Sequence, residues 1–264
     1  IRFAVIMAVW IVFSRFFVNL SKRTELLRQD ERYFKTVRFS AVFLPLFALT
    51  FSVASFDWIM SIEPEWCTTM FAVYCFAGFF VGGLVLLTLA LICVQKQGYL
   101  NGVINENHYH DLGKLIFGFS TFWAYIWFFQ FMLIWYTNQP EETVYYLRRW
   151  AHPELKCLFY ANFVVNWLCP FLILMPRGSK RSTRVLCWVC MLLLAGRWLD
   201  LYLLIAPKVL ENAAIRMTVS WVEIGITLGY IGLFVIIFSR ALSKAPLIVK
   251  NDPFLEDGAS TSTT

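Results

Sequence analysis

Residues 185–206 read VLCWVCMLLLAGRWLDLYLLIA, an apolar run of membrane-spanning length that nevertheless carries Arg197 and Asp200. About 20 apolar residues cross the hydrocarbon core of a bilayer as one α-helix. An ionisable side chain at that depth costs about 3 kcal/mol or more unless it is paired or hydrated. Such groups normally face the interior of a helix bundle, so this segment is the first place to look for a function.

The rest of the chain repeats this apolar pattern. Hydrophobic residues make up 59% of the sequence and charged residues only 15%, with a mean hydropathy of +0.63. A membrane-spanning backbone must be helical or a closed barrel, because lipid offers it no hydrogen-bond partners. The runs are long and do not alternate, which excludes a barrel and predicts an all-α, polytopic bundle of seven transmembrane helices. The predicted spans are residues 1–20, 39–60, 70–94, 115–136, 157–175, 185–206 and 218–238.

The lysines and arginines between the spans predict the orientation of the chain, since short cytoplasmic loops are enriched in them. The net charge of +6 reflects this asymmetry and does not indicate a nucleic-acid partner. Because Ile1 already lies within a span and no charged segment precedes it, the first span does not resemble a signal peptide, and we expect the chain to be a fragment that lacks N-terminal sequence. The predicted cytoplasmic face holds Lys22, Arg23, Arg28, Arg32, Lys35, Arg38, Lys96, Lys114, Arg177, Lys180, Arg181, Arg184, Arg240, Lys244 and Lys250, and the outer face holds Arg2, Arg148, Arg149, Lys156, Lys208 and Arg216.

The charged pair in the sixth span has a third ionisable neighbour, Glu223, in the seventh. The sixth span runs outward and the seventh returns, so Asp200 and Glu223 are expected at similar depth, about 8 to 9 Å below the outer surface. Arg197 and Asp200 are three residues apart, share a helix face and can pair. Two interpretations stay open, a proton relay or headgroup pocket on the one hand and a structural ion pair on the other.

Polar residues of the fourth and fifth spans could extend this charged group. Asn162 and Asn166 are four residues apart and therefore lie on one face of the fifth span. The fourth span offers Tyr125 and Gln130. With ordered water these groups could carry protons, although hydrogen bonding between helices without transport explains them equally well.

Titratable residues also stand at both ends of the spans. His108, His110 and Asp111 precede the fourth span on the predicted cytoplasmic side, where they could collect protons or, alternatively, cap the helix and make interface contacts. Asp57 lies near the outer end of the second span and could reach water. Glu63 and Glu65 follow in the loop, either as an acidic rim that faces a partner or as a solvated turn.

Several chemical motifs are absent from the sequence. It contains no Walker loop, no dinucleotide-binding glycine fingerprint and no Cys cluster for iron and sulfur. No pair of histidines has the helical spacing of axial haem ligands. We therefore expect no catalytic residue, no metal site and no redox centre in this chain.

Four stretches resemble a known family, namely residues 55–66 (SFDWIMSIEPEW), 110–114 (HDLGK), 122–136 (FWAYIWFFQFMLIWY) and 138–143 (NQPEET). They are similar to the quinol-oxidoreductase membrane subunits of bacterial alternative complex III, and most similar to the F-type subunit. These subunits belong to the polysulfide-reductase-like, NrfD-type integral membrane proteins. The resemblance covers most of residues 39–240.

The resemblance implies about ten helices in two four-helix bundles, of which the seven spans of this chain would be the later seven. It implies a multi-subunit respiratory complex of the bacterial inner membrane that oxidises quinol and passes electrons to a cytochrome c or a terminal oxidase. Haem c, iron–sulfur clusters and quinone would then reside in partner subunits, including a homologous quinone-binding membrane subunit. This chain would bind none of them, contact lipids, and contribute a proton pathway and a scaffold. The alternatives are a secondary transporter with intramembrane coupling charges and a purely structural subunit.

The resemblance also divides the chain. Residues 1–60 would supply two helices that complete a first bundle, and residues 61–206 would form the second four-helix bundle. Residues 207–240 would contain the final span. Residues 241–264 are polar and predict a cytoplasmic tail, because such a composition cannot bury a core.

Overall fold

The computed structural model describes residues 1–22, 29–100, 103–213 and 221–243, and these ranges contain helices but no strand. Seven of the helices are long and apolar enough to cross a membrane. The predicted all-α, polytopic membrane fold is therefore confirmed, and the chain is a multi-pass membrane protein. The tail from residue 244 onward and the loop residues Arg23, Arg28 and Arg216 lie outside the described residues.

Each helix follows from an apolar run or from a local start signal. The long helices coincide with the predicted spans, whereas α5 and α8 are short and lie between spans. Along the chain the elements are α1 (Arg2–Lys22), α2 (Gln29–Trp58), a 3₁₀ turn (Met60–Ile62), α3 (Phe71–Lys96), α4 (Glu106–Thr137), α5 (Pro140–Ala151), α6 (Pro153–Phe163), a π-helical segment (Val164–Leu168), α7 (Cys169–Leu174), α8 (Arg177–Arg181), α9 (Thr183–Ala213) and α10 (Trp221–Leu242).

The chain divides into two compact units, and the first comprises Ile1–Phe51 with Val219–Thr264. In this unit α1 packs on α2 largely through aromatic rings. The ring centroids of Phe16 and Phe39 are 4.4 Å apart. Trp10 Nε1 donates a hydrogen bond to Thr50 Oγ1 at 3.0 Å, which ties the two helices together by a polar contact as well.

The second unit is Ser52–Thr218, and in it α3 packs against α4 and α9. Its core has two parts. One is rich in aromatic residues and includes Phe71 and Trp123. The other is aliphatic and includes Val85, Ile116 and Leu193. These buried side chains pack α3 and α4 together with α9, which carries Arg197 and Asp200.

The fifth predicted span is interrupted by the π-helical segment Val164–Leu168, which ends just before Pro170. In a regular α-helix the ring of Pro170 would clash with the carbonyl of Asn166, four residues earlier. The wider π turn accommodates the proline without ending the helical path. Segments of this kind are often found at functional sites.

Helix α5 occupies the connection between the fourth and fifth spans, where hydropathy predicts only a loop. It starts with Pro140 in the first turn, where the missing N–H is harmless. Glu141 and Glu142 follow in the first turn, and Arg148 and Arg149 lie in the last turn. This distribution complements the helix dipole, and it places two arginines beside the end of α9.

Candidate functional site

Asp200 is the centre of a buried polar cluster in the second unit. Asp200 is only 6% exposed, and Arg197 is 9% exposed. Arg197 Nη1 lies 3.6 Å from Asp200 Oδ2, so the pair expected from their spacing does form. Asp200 Oδ1 accepts hydrogen bonds from Asn162 Nδ2 at 2.8 Å and from the hydroxyl of Tyr74. Donors from α3, α6 and α9 thus surround one carboxylate.

Asn166 connects this carboxylate group to the π-helical segment. Its Oδ1 accepts from Arg197 Nε at 2.7 Å. Its Nδ2 donates to Asn162 Oδ1 at 2.6 Å and to Gly196 O at 2.9 Å. Both asparagines are almost completely buried. We call Tyr74, Asn162, Asn166, Arg197 and Asp200 the Asp200 cluster.

Two further residues shape the space around the guanidinium of Arg197. This group lies 4.2 Å from the centre of the Trp123 ring, a cation–π contact with a fully buried indole. Gly78 on α3 leaves room for the guanidinium, because a Cβ at that position would lie 2.8 Å from Arg197 Nη1. Nη1 makes no hydrogen bond within the described part of the chain, so the ring and Asp200 are its main partners.

A second buried charge group is built around Glu63, which sequence reasoning assigned to an acidic rim or a solvated turn. That prediction is wrong for Glu63, which is only 3% exposed. Its Oε1 lies 2.8 Å from Arg149 Nη2 and its Oε2 lies 3.1 Å from Arg148 Nη1. The cause is α5, whose last turn brings both arginines onto the loop after α2.

Three more charged residues surround this pair of arginines at the protein surface. Arg148 also contacts Glu65 at 3.2 Å and Glu211 at 2.6 Å, and Lys208 lies 3.7 Å from Glu65. The carboxylate of Glu65 is well exposed, as the turn interpretation expects. We call Glu63, Glu65, Arg148, Arg149, Lys208 and Glu211 the Glu63 cluster.

Arg149 anchors the Glu63 cluster to the helices beneath it. Its side chain is completely buried, and its Nε donates to the carbonyl of Leu203 on α9 at 3.0 Å. The guanidinium also lies over the ring of Tyr145, 3.4 Å from the ring centre. Burial raises the pKa of Tyr145 to about 12, although the positive charge of Arg149 acts in the opposite direction. Tyr145 is therefore neutral at physiological pH and can donate its hydroxyl proton.

A small cavity lies between the two clusters. It has a volume of about 10 Å³, roughly the space that one water molecule needs. Tyr74, Asn162 and Asp200 line it from the Asp200 cluster, and Tyr145 and Arg149 line it from the other side. The polar groups around it satisfy the second requirement for a buried water, which is two or more hydrogen-bond partners.

Three predicted site residues lie elsewhere in the second unit. Tyr125 is 57% exposed and stacks on Phe129, so it faces away from the Asp200 cluster. Gln130 is buried but lines a different pocket. Asp57 is half-buried near the end of α2, where its backbone carbonyl accepts a hydrogen bond from Ser61. None of the three contacts Asp200 in the described hydrogen bonds.

The residues at the start of α4 form its cap. Asn105 is the N-cap, and its side chain accepts from the backbone of His108, whose ring in turn accepts from Asn105 N at 3.3 Å. Capping by Asp111, one of the two predicted roles, is therefore wrong, since Asp111 instead pairs with Lys114 at 2.6 Å. His110 is half-buried beside these residues.

Glu223 belongs to the first compact unit, in the first turn of α10. Its side chain is partly buried, and its backbone carbonyl accepts from Thr227 Oγ1 at 2.7 Å. The expected common depth of Glu223 and Asp200 stays a prediction.

Sequence reasoning missed Tyr74, Trp123 and Arg149. A hydroxyl near the start of an apolar span was the available signal for Tyr74. Arg149 had none, because its partner Glu63 is 86 positions away in the sequence.

Within the described ranges, no group of three or more His, Cys, Asp or Glu side chains could hold a metal ion. Comparison of the sequence with protein-family models and with curated proteins gives no match. The fold and the site define the class of protein. It is a polytopic α-helical membrane protein with two charge clusters, and a cavity about the size of one water molecule lies between them.

Proposed function

We propose that the chain is a membrane subunit of a quinol-oxidising respiratory complex in the bacterial inner membrane, with a cytoplasmic C-terminus and no redox centre of its own. In this proposal the Asp200 cluster forms part of a proton route, and electron transfer takes place in partner subunits that hold haem c, iron–sulfur clusters and quinone. The observation that carries the proton route is the cavity between Asp200 and Arg149.

The proton route follows the hydrogen bonds. The hydroxyl of Tyr74 donates to Asp200 Oδ1, and that carboxylate borders the cavity. A water molecule in the cavity could accept a proton from one group and donate to another, as hydrogen-bonded chains of side chains and water do. On the far side Tyr145 would pass the proton on, because its hydroxyl both donates and accepts, whereas the guanidinium of Arg149 keeps its protons and holds Glu63 by charge. Protons would pass between Asp200 and the surface carboxylates of the Glu63 cluster.

Two of the sequence stretches that resemble alternative complex III lie at the Glu63 cluster, and this location supports the proposed route. The stretch SFDWIMSIEPEW contains Glu63 and Glu65, and NQPEET forms the start of α5, which carries Arg148 and Arg149. Two of the four resembling stretches therefore border the Glu63 cluster.

The test uses the complete complex in liposomes, with the number of protons moved per electron as the readout. Asp200→Asn keeps the shape of the side chain but cannot carry a proton, so we expect a lower ratio while quinol oxidation continues. Glu154→Gln is the control, because Glu154 is exposed in the first turn of α6 and belongs to neither cluster. An unchanged ratio in Asp200→Asn would reject the route.

A purely structural role is the second candidate. The observation in its favour is that Arg197, Asn162 and Tyr74 all contact the Asp200 carboxylate, which ties α3, α6 and α9 together. A helix-locking pair predicts that Asp200→Asn weakens the folded protein without changing the proton ratio. Measuring stability and proton ratio on the same variant separates the two candidates.

A further inference from the structure

A second pocket, of about 550 Å³, lies in the same unit where α2, α3, α4 and α5 approach one another. Most of its wall is apolar and includes Phe56, Met60, Leu133 and Ile134. Its volume falls in the range of pockets that hold small ligands. The pocket shares no lining residue with the Asp200 cluster or the Glu63 cluster.

Gln130 is the polar group on the α4 wall of this pocket. Its side chain is 8% exposed, and its Nε2 is buried without a hydrogen-bond partner among the described residues. A buried N–H group is strongly unfavourable when no acceptor reaches it. An acceptor oxygen from a molecule in the pocket would remove that penalty.

The other polar groups lie toward the end of α4. Thr137 lines the pocket about 10 Å further along the helix than Gln130, at 1.5 Å per residue. The half-buried Glu142, in the first turn of α5, lines it as well. Thr68 and Thr69, which also line the pocket, directly precede α3. The first backbone N–H groups of a helix favour an anion. The pocket thus combines a deep donor, an anion-binding helix end and a carboxylate.

We propose that this pocket binds a zwitterionic aminophospholipid of the phosphatidylethanolamine class. Its ammonium group contacts Glu142, its phosphate lies at the start of α3, and an ester carbonyl accepts the hydrogen bond of Gln130. The acyl chains lie along the apolar wall. An anionic phospholipid would leave Glu142 without a cation, and so would a neutral quinone, although either could supply an acceptor to Gln130.

The experiment measures the lipid retained by the intact protein. The protein is equilibrated in nanodiscs that contain equal amounts of phosphatidylethanolamine and phosphatidylglycerol with a trace of ubiquinone, then transferred to detergent, and the bound molecules are quantified by mass spectrometry. We expect phosphatidylethanolamine to be enriched. Gln130→Leu and Glu142→Gln should each lower its retention about 5- to 10-fold, the usual effect of losing one hydrogen bond or ion pair to a ligand.

Tyr125→Phe serves as the control, because Tyr125 lies on the same helix but outside the pocket. Its retention of lipid should equal that of the unaltered protein. Glu142 is only half-buried and Glu142→Gln keeps the shape of the side chain, so this variant gives a result even if Gln130→Leu fails to fold. Enrichment of phosphatidylglycerol or ubiquinone, enrichment of no molecule, or unchanged retention in Glu142→Gln would each overturn the proposal.

Discussion

Gly196→Ala tests the Asp200 cluster most sharply, because it adds a single methyl group where the backbone of α9 lies against the side chain of Asn166. The new Cβ would lie 2.5 Å from Asn166 Oδ1 and 2.8 Å from Asn166 Cγ, well inside the normal contact distance of about 3.5 Å. Asn166 is completely buried and cannot move aside into solvent. It would have to shift, and its bonds to Gly196 O and Arg197 Nε would lengthen or break.

The expected loss of stability follows from these contacts. Overpacking a buried site costs about 1 to 3 kcal/mol. Loss of the neutral bond to Gly196 O costs about 1 kcal/mol, and the bond from the charged guanidinium about 1.5 to 3 kcal/mol. Because the protein can relax in part, we expect Gly196→Ala to lower the free energy of unfolding by about 3 to 5 kcal/mol.

The assay is equilibrium unfolding of the purified protein in mixed micelles, followed by the loss of helical circular dichroism. Gly82→Ala is the matched control, since a Cβ at that helical glycine meets no atom within 4 Å. Helix propensity alone should change its stability by no more than about 1 kcal/mol. Equal effects of the two substitutions would refute the packing of Asn166 against Gly196.

Three other substitutions test the contacts of the two clusters. Gly78→Ala should cost about 1 to 3 kcal/mol in the same unfolding assay, because its Cβ would lie 2.8 Å from Arg197 Nη1, and the end of an arginine side chain can move more easily than Asn166. Glu63→Gln should cost about 3 kcal/mol, because it leaves the guanidinium of Arg149 buried without its counter-charge. Glu65→Gln should cost less than about 1 kcal/mol, since that carboxylate is largely exposed, and a similar loss in both glutamate variants would contradict the burial of Glu63.

The fold could be predicted largely from the lengths of the apolar runs, because lipid permits few other backbone structures. The lengths of apolar runs do not predict helix α5, since its 12 residues are amphipathic and carry four charges at the two ends. They do not predict the π-helical segment either, for a different reason. Pro170 predicts a disturbance of the fifth span, but whether the turn kinks or widens depends on the residues packed against it, including Asn166 on Gly196.

The site could be predicted where its partners are neighbours on one helix. The spacing of Arg197 and Asp200 and that of Asn162 and Asn166 both correspond to contacts in the structure. Tyr125 shows the limit of this reasoning, because a polar residue in a span indicates neither which way its helix is rotated nor what it faces. Contacts between distant segments, such as Glu63 with Arg149 or Tyr74 with Asp200, depend on the packing of whole helices and leave no local signal.

The proton route through Asp200 is tested most directly by difference infrared spectroscopy of the complete complex during quinol oxidation. A carboxylate that carries protons must be protonated transiently, and a protonated carboxyl group absorbs in a region free of carboxylate bands. The proposed route predicts a carboxylic-acid band that appears during turnover and is absent from Asp200→Asn. Identical bands in the two proteins, or no such band in either, would contradict the route and leave Asp200 as a structural partner of Arg197.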